Sequence, residues 1–199
     1  MKDGAELQTA TAIENRIQFL SRVGMSPDRA AIHFADFTTT DFCVYQQATP
    51  GLMPGVDAVG TNDTDQPIML PLADCVGAVL YDPVHHAIMV SHLGRHSTEQ
   101  FGGVKSVEYM AATYHARPSD LLVWLGPSPS SDEYPLWAFN NRGFIDVLCE
   151  QLELAGVHRN NIEVSAVDTA TDVNYFSHSQ FLQGNRPTDG RYAIAVMLR

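Results

Sequence analysis

The sequence predicts an α+β domain of mixed β-sheets, and three observations carry that class. Segments with helical spacing of apolar residues alternate irregularly with short β-type segments, without a regular βαβ series. No internal repeat or low-complexity tract interrupts the chain. Its 199 residues, 45% hydrophobic, are enough to bury a continuous core and few enough for one folding unit over residues 1–199.

Leu7, Ala10, Ile13, Ile17 and Leu20 recur at three- and four-residue spacing and Gly24 follows, which predicts an amphipathic helix with a glycine stop. From about Ala30 to Ile68 the pattern changes to short β-type pieces, IHF, FCVY and DAVGT, divided by the turn signals TTT, ATPGLMPG and NDTDQP. MLPLADCVGAVLYDP is a nearly unbroken apolar run answered after PVHH by AIMVSHLG, so the two segments are expected to pair as a β-hairpin. Ser97 with Gln100 reads as a capping box for a helix burying Phe101, Val104, Val107, Ala111 and Tyr114. LLVWLG reads as a buried strand and GPSPSSDEYP as an irregular loop. Phe144, Leu148, Leu152 and Ala155 form the stripe of a further helix that stops at Gly156, and IEVSAV, VNYFS and YAIAVML read as the last strands.

The formal charge of −11, from 23 acidic and 12 basic residues, opposes binding to a phosphate backbone or an anionic membrane surface, so neither nucleic acid nor membrane is an expected partner. MKDGAELQTATAIENR is polar and amphipathic, unlike a signal-peptide core, which predicts a cytoplasmic protein. Cys43, Cys75 and Cys149 are odd in number and widely spaced, so free thiols are expected.

Cys75 and His92 are the chemical candidates. Seventeen positions separate them, a span that the hairpin folds back on itself. A thiol facing an imidazole suits two tasks: the histidine activates a cysteine nucleophile, or both bind a divalent metal such as zinc with another ligand. Against both stands the plain alternative of a small core cysteine and a hydrogen-bonded strand-end histidine. His85 and His86 in the hairpin turn, and His115 and His158 near helix ends, read as solvated; Asp57 and Asp74 read as backbone hydrogen-bond acceptors beside turns.

Taken in order, ENRIQFLSRVGMSPDR, VDAVGTNDTDQPIMLPLADCVGAVLYDP, SHLGRHST, LVWLGPSPS, AFNNRGFIDVLCEQLELAGV with NIEV, and YFSH through DGRYAIAVML resemble the YfiH-like or laccase-domain family, labelled polyphenol oxidases and in part purine nucleoside phosphorylases. The resemblance spans most of the chain. It implies a four-layer α/β/β/α arrangement of mixed sheets and a zinc site of two histidines and a cysteine, of which Cys75 and His92 match two. The third ligand belongs to a Gln-Val-His-Gly type motif that aligns with Ala35, Asp36, Phe37 and Thr38, where no histidine stands. His33 is the remaining candidate, but four residues along a strand is roughly 13 Å. Where the family has His-Ala-Gly-Trp-Arg-Gly, this chain has His92, Leu93, Gly94, Arg95, His96 and Ser97; a later Cys-Thr pair is replaced by Asp168 and Thr169, and an Arg-rich turn by His178, Ser179 and Gln180. The family's opening Phe-Thr-Thr-Arg strand has no counterpart before the first helix.

The expected function is therefore that of an enzyme acting on a small purine-nucleoside-like substrate by phosphorolysis, deamination or hydrolysis. Cys75 and His92 are its catalytic residues, Arg95, His96 and His178 its substrate contacts, and Cys75, His92 and His33 its possible zinc ligands. The alternatives are a metal-free Cys–His hydrolase and a binding protein that has lost turnover. No histidine-rich set of copper ligands accompanies the laccase label.

Overall fold

A computed structural model describes residues 9–199. Ten strands form two mixed sheets. β1 (Ala31–Phe34), β3 (Gly51–Pro54), β5 (Ile68–Leu72) and β10 (Tyr192–Val196) make a four-stranded sheet in the order β10-β5-β1-β3. β1 runs parallel to both neighbours and β10 antiparallel to β5. β2 (Tyr45–Gln47), β4 (Ala58–Thr61), β6 (Val76–Asp82), β7 (Ala87–Leu93), β8 (Leu122–Leu125) and β9 (Ile162–Val164) make a six-stranded sheet in the order β2-β4-β7-β6-β8-β9. The helices are α1 (Ala10–Arg22), α2 (Arg95–Glu99), α3 (Gly102–Tyr114), α4 (Phe144–Leu154) and α5 (His178–Leu182).

Three buried clusters separate four layers. Leu20 of α1 packs on Ile32 and Met69, on the outer face of the four-stranded sheet. Between the sheets lie Leu70, Leu72 and Ile194 of one and Val59, Ile88 and Val90 of the other. Beyond the six-stranded sheet, Leu80, Met89 and Leu125 meet Val107 and Met110 of α3 and Leu148 and Leu152 of α4. Side-chain alternation along strands produces this division: Leu70 and Leu72 face inward while Met69 faces α1. The α/β/β/α arrangement is thus a consequence of strands that are apolar on both faces.

Most predicted elements form, with instructive departures. In α1 the buried residues are Arg16 and Leu20, whereas Ile13 is 43% and Ile17 48% exposed; Leu7 lies outside the described residues. The helix meets the sheet along the Arg16–Leu20 i, i+4 ridge, about 60° round the helix from Ile13 and Ile17. GLMP, read as a turn, is β3, because β1 offers it a parallel edge. Of FCVY only Tyr45 joins a strand.

The long apolar run through Cys75 divides between the sheets: β5 belongs to one, and only β6 pairs with β7 as the hairpin. Ser97 is no helix cap; its hydroxyl donates to the carbonyls of His92 and Gly94, and Gly94 precedes α2. A break at Phe101, whose φ is +61°, separates α2 from α3, leaving Phe101 exposed. VNYFS is a turn, because the Asp172 carboxylate accepts from the backbone N–H of Asn174 and Ser177 caps α5.

Candidate functional site

Strand alternation gathers the reactive side chains. Val90 of β7 faces the inter-sheet layer and Leu93 faces α3, so His92 shares the inter-sheet face. Val76 of β6 faces the helices, so the preceding Cys75 turns inward, where it packs against the inter-sheet cluster. In β1, Ala31 faces inward and Ile32 faces α1, which turns His33 inward as well. His33 lies on a strand, whereas residues 35–38, the aligned place of the missing ligand, lie in the turn beyond it.

The crossover between sheets sets the position of Cys75. Asp74 has φ of +74°, an uncommon conformation for a non-glycine residue, and is held there by its buried carboxylate. Oδ1 accepts from Thr169 Oγ1 at 3.1 Å and Oδ2 from the Ser179 backbone N–H at 2.7 Å. Thr169, which keeps the threonine of the family's pair, and Ser179, at a position that departs from the family pattern, therefore brace the cysteine turn. Gly94 completes the floor: a methyl group there would lie 2.9 Å from Cys75 Sγ, 3.2 Å from His92 Cε1 and 3.4 Å from His92 Nε2. Thiol and imidazole converge on the one residue that leaves room for them.

The two buried histidines have opposite electrostatics. Burial disfavours charge on His92, but the adjacent Cys75 sulfur and the Asp57 carboxylate both favour the protonated ring, outweigh that cost and raise its pKa to about 10. Asp57 Oδ1 stands 3.8 Å from His92 Nδ1, while Oδ2 accepts from the Val44 backbone N–H at 3.0 Å. His33 is fully buried, and burial pushes its pKa down to about 3, opposed by its Val56 carbonyl bond and reinforced by the His92 charge. Because the partner is a carbonyl, Nδ1 donates to it at 3.2 Å, leaving Nε2 an unprotonated lone pair, buried without a partner.

That lone pair, backed by a carbonyl on the other ring nitrogen, is what a metal-ligating histidine presents. With Cys75 and His92 it gives a donor set suited to zinc in kind. The three side chains do not close into a ligating cluster: among the described residues no group of three or more His, Cys, Asp or Glu side chains is arranged to hold a metal ion.

Cys75 and His92 open onto a cleft of about 1930 Å³. Arg95 lies in its wall, 4.6 Å from the Tyr134 ring centroid and 4.9 Å from that of Trp137. His96 stacks on Phe42 at 4.7 Å. His178 pairs with Asp189 at 3.1 Å, and Arg191 shares that carboxylate at 2.6 Å. All three predicted substrate contacts therefore line the cleft. Tyr134, Asp189 and Arg191 line it too, as does Arg16 of α1. Sequence reasoning passed over these four, and only Arg16 gave a signal, as a charge beside an apolar stripe. Cys43, Cys75 and Cys149 are free thiols. Among the described residues no helix is long and apolar enough to cross a membrane.

Residues 6–147 match the family described as multi-copper polyphenol oxidoreductase laccase. The chain is 32% identical over 82 residues to purine nucleoside phosphorylase YlmD of Bacillus subtilis (strain 168), covering 41% of this chain and 30% of the relative. It is 25% identical over 168 residues to a purine nucleoside phosphorylase of Bacteroides thetaiotaomicron, covering 74% of this chain and 62% of the relative. The matches thus span less than two thirds of either curated relative. The crystal structure of YlmD from Geobacillus stearothermophilus has a TM-score of 0.82 at 20% identity, covering 94% of this chain and 80% of that one.

Proposed function

The chain belongs to the multi-copper polyphenol oxidoreductase laccase family, and from that membership we propose that it is an enzyme that cleaves a small purine-nucleoside-like substrate by phosphorolysis in the cleft, with Cys75 and His92 as its catalytic residues. The convergence of Cys75 and His92 on Gly94 at the cleft wall carries the reading. The names of the two curated relatives support the substrate class. His92, with a pKa of about 10, holds its proton at neutral pH. It therefore acts as a general acid toward the departing base, oriented by Asp57. Arg95 with Tyr134 offers a flat cationic and aromatic surface for a purine ring, and His178, fixed by Asp189, offers a hydrogen bond to the sugar. A zinc ion, were one bound by His33, Cys75 and His92, would require His92 as a neutral ligand and would replace its proton with Lewis-acid polarisation of a phosphate or water oxygen. The reading places the enzyme in the cytoplasm, consistent with its free thiols.

A nucleoside panel with and without inorganic phosphate, read by release of free base, tests the reaction. Phosphate-dependent release that disappears in Cys75→Ala is the expected result; no release from any purine nucleoside overturns it. Metal analysis of protein purified without added zinc separates the two states of the site: stoichiometric zinc lost in Cys75→Ala supports the ligand set, and metal-free wild type leaves protonated His92 as the acid.

The absence of a closed ligating cluster among the described residues favours one further reading, a metal-free site in which the His92 charge activates the Cys75 thiol. Iodoacetamide labelling at neutral pH separates the two: a rate no faster than that of a free thiol, or one unchanged in His92→Ala, removes the activated cysteine.

A further inference from the structure

Helix α1 and its cap Thr9 line the cleft with Thr9, Ala12, Asn15, Arg16 and Phe19, a three- and four-residue spacing that makes one helix face part of its wall. Arg16 is the anomaly on that face. It is 7% exposed, and its Nη1 is buried without a hydrogen-bond partner. No carboxylate among the described residues pairs with it. Burial lowers its pKa below the ordinary value, yet an arginine does not shed its proton near neutrality. An unpaired buried guanidinium is costly, and in a chain of net charge −11 acidic partners are plentiful. Its lack of one among the described residues, beside a cleft that also holds Cys75 and His92, points to a ligand as the missing partner.

We propose that Arg16 is a phosphate-anchoring residue, whose guanidinium receives a phosphate oxyanion bound in the cleft. The planar fork of arginine matches two phosphate oxygens, and a nearly dry setting strengthens the pair relative to water. The inference rests on the nucleoside-phosphorolysis reading for its substrate class. The oxyanion has two sources, inorganic phosphate as the co-substrate or a phosphoryl group carried by the purine compound itself.

Calorimetric titration of the full-length protein with inorganic phosphate, a purine nucleoside 5′-monophosphate and the unphosphorylated nucleoside tests this in wild type, Arg16→Met and Arg16→Lys. Arg16→Met keeps the bulk and removes the unpaired charge, so its thermal midpoint in phosphate-free buffer should equal or exceed that of wild type. Its affinity for the phosphate-bearing probe should fall about 100-fold, with nucleoside binding unchanged, and Arg16→Lys should retain part of it. Binding of inorganic phosphate by itself assigns the co-substrate; binding of the monophosphate but not the free ion assigns the substrate's own phosphoryl group. Should Arg16→Met fail to fold, Arg16→Lys carries the comparison. Wild type that binds neither probe, or variants that bind either as tightly as wild type, overturns the proposal. Arg16-dependent phosphate binding without base release would remove phosphorolysis and leave the anion site standing, so the two failures are distinguishable.

Discussion

The inter-sheet layer has two contrasting regions built by the same alternation rule. Around Leu72, Val90 and Ile194 it is an apolar interior, and Gly77 is bare because a Cβ would run into Ile194 and Leu72. Around His33, Asp57, Cys75 and His92 the same layer is polar. There His33 Nε2, Asp57 Oδ1 and His92 Nδ1 are all buried without a hydrogen-bond partner. Folding alone rarely leaves such atoms unmatched, so their concentration at one end of an otherwise dry layer separates a site from a core. Arg16 Nη1 and Arg95 Nε, on residues that line the adjoining cleft, extend the pattern.

The largest effect should come from breaking the polar region. Cys75→Ala or His92→Ala should lower base release per folded molecule by about 10²–10⁴-fold; normal turnover in either variant removes the catalytic pair. Breaking the apolar region should do the opposite. Ile194→Ala should cost about 2–5 kcal/mol in urea unfolding while activity per folded molecule is retained, because Ile194 lies in the inter-sheet cluster and outside the cleft lining.

A smaller effect joins the regions. Asp74→Ala removes acceptors for Thr169 and Ser179, and should cost about 1–3 kcal/mol and slow base release through displacement of Cys75. Reduced stability with full activity would mean that the crossover does not position the thiol.

The subtlest difference is in titration. His33 has a folded pKa near 3, below its unfolded value of 6.5, so the unfolded chain binds the extra proton and stability falls as pH drops from 6.5 toward 3. His92 has a folded pKa near 10, so its contribution is complete below 6.5 and disappears as pH rises through 10. Stability should therefore peak near pH 6.5, and His33→Leu should flatten only the acid limb in urea midpoints measured across pH. An unaltered acid limb would place that proton elsewhere.

Much of this was legible in the residues themselves. The apolar runs of β6, β7 and β8 and the stripe of α4 gave their own positions, because burial on a fixed period leaves a pattern in any sequence that adopts it. Cys75 and His92 were legible as a pair because their segments form one hairpin. GLMP was not, since a parallel edge strand depends on a neighbour about 20 residues away. α1 misled in a specific way: its apolar residues and its buried face differ, because the sheet beneath it decides which ridge it accepts.

The sequence by itself determined the α+β class, the family membership that its ordered motifs carried, and the proximity of one thiol to one imidazole. Local periodicity and short-range pairing suffice for those. Only the tertiary structure decided that a continuous apolar run breaks at Asp74 between two sheets, and that His33 on a different strand shares the layer of His92. It also turned a helical arginine, rather than its isoleucines, toward the cleft. Each of these depends on which surfaces meet across the layers, and that information resides in no single segment.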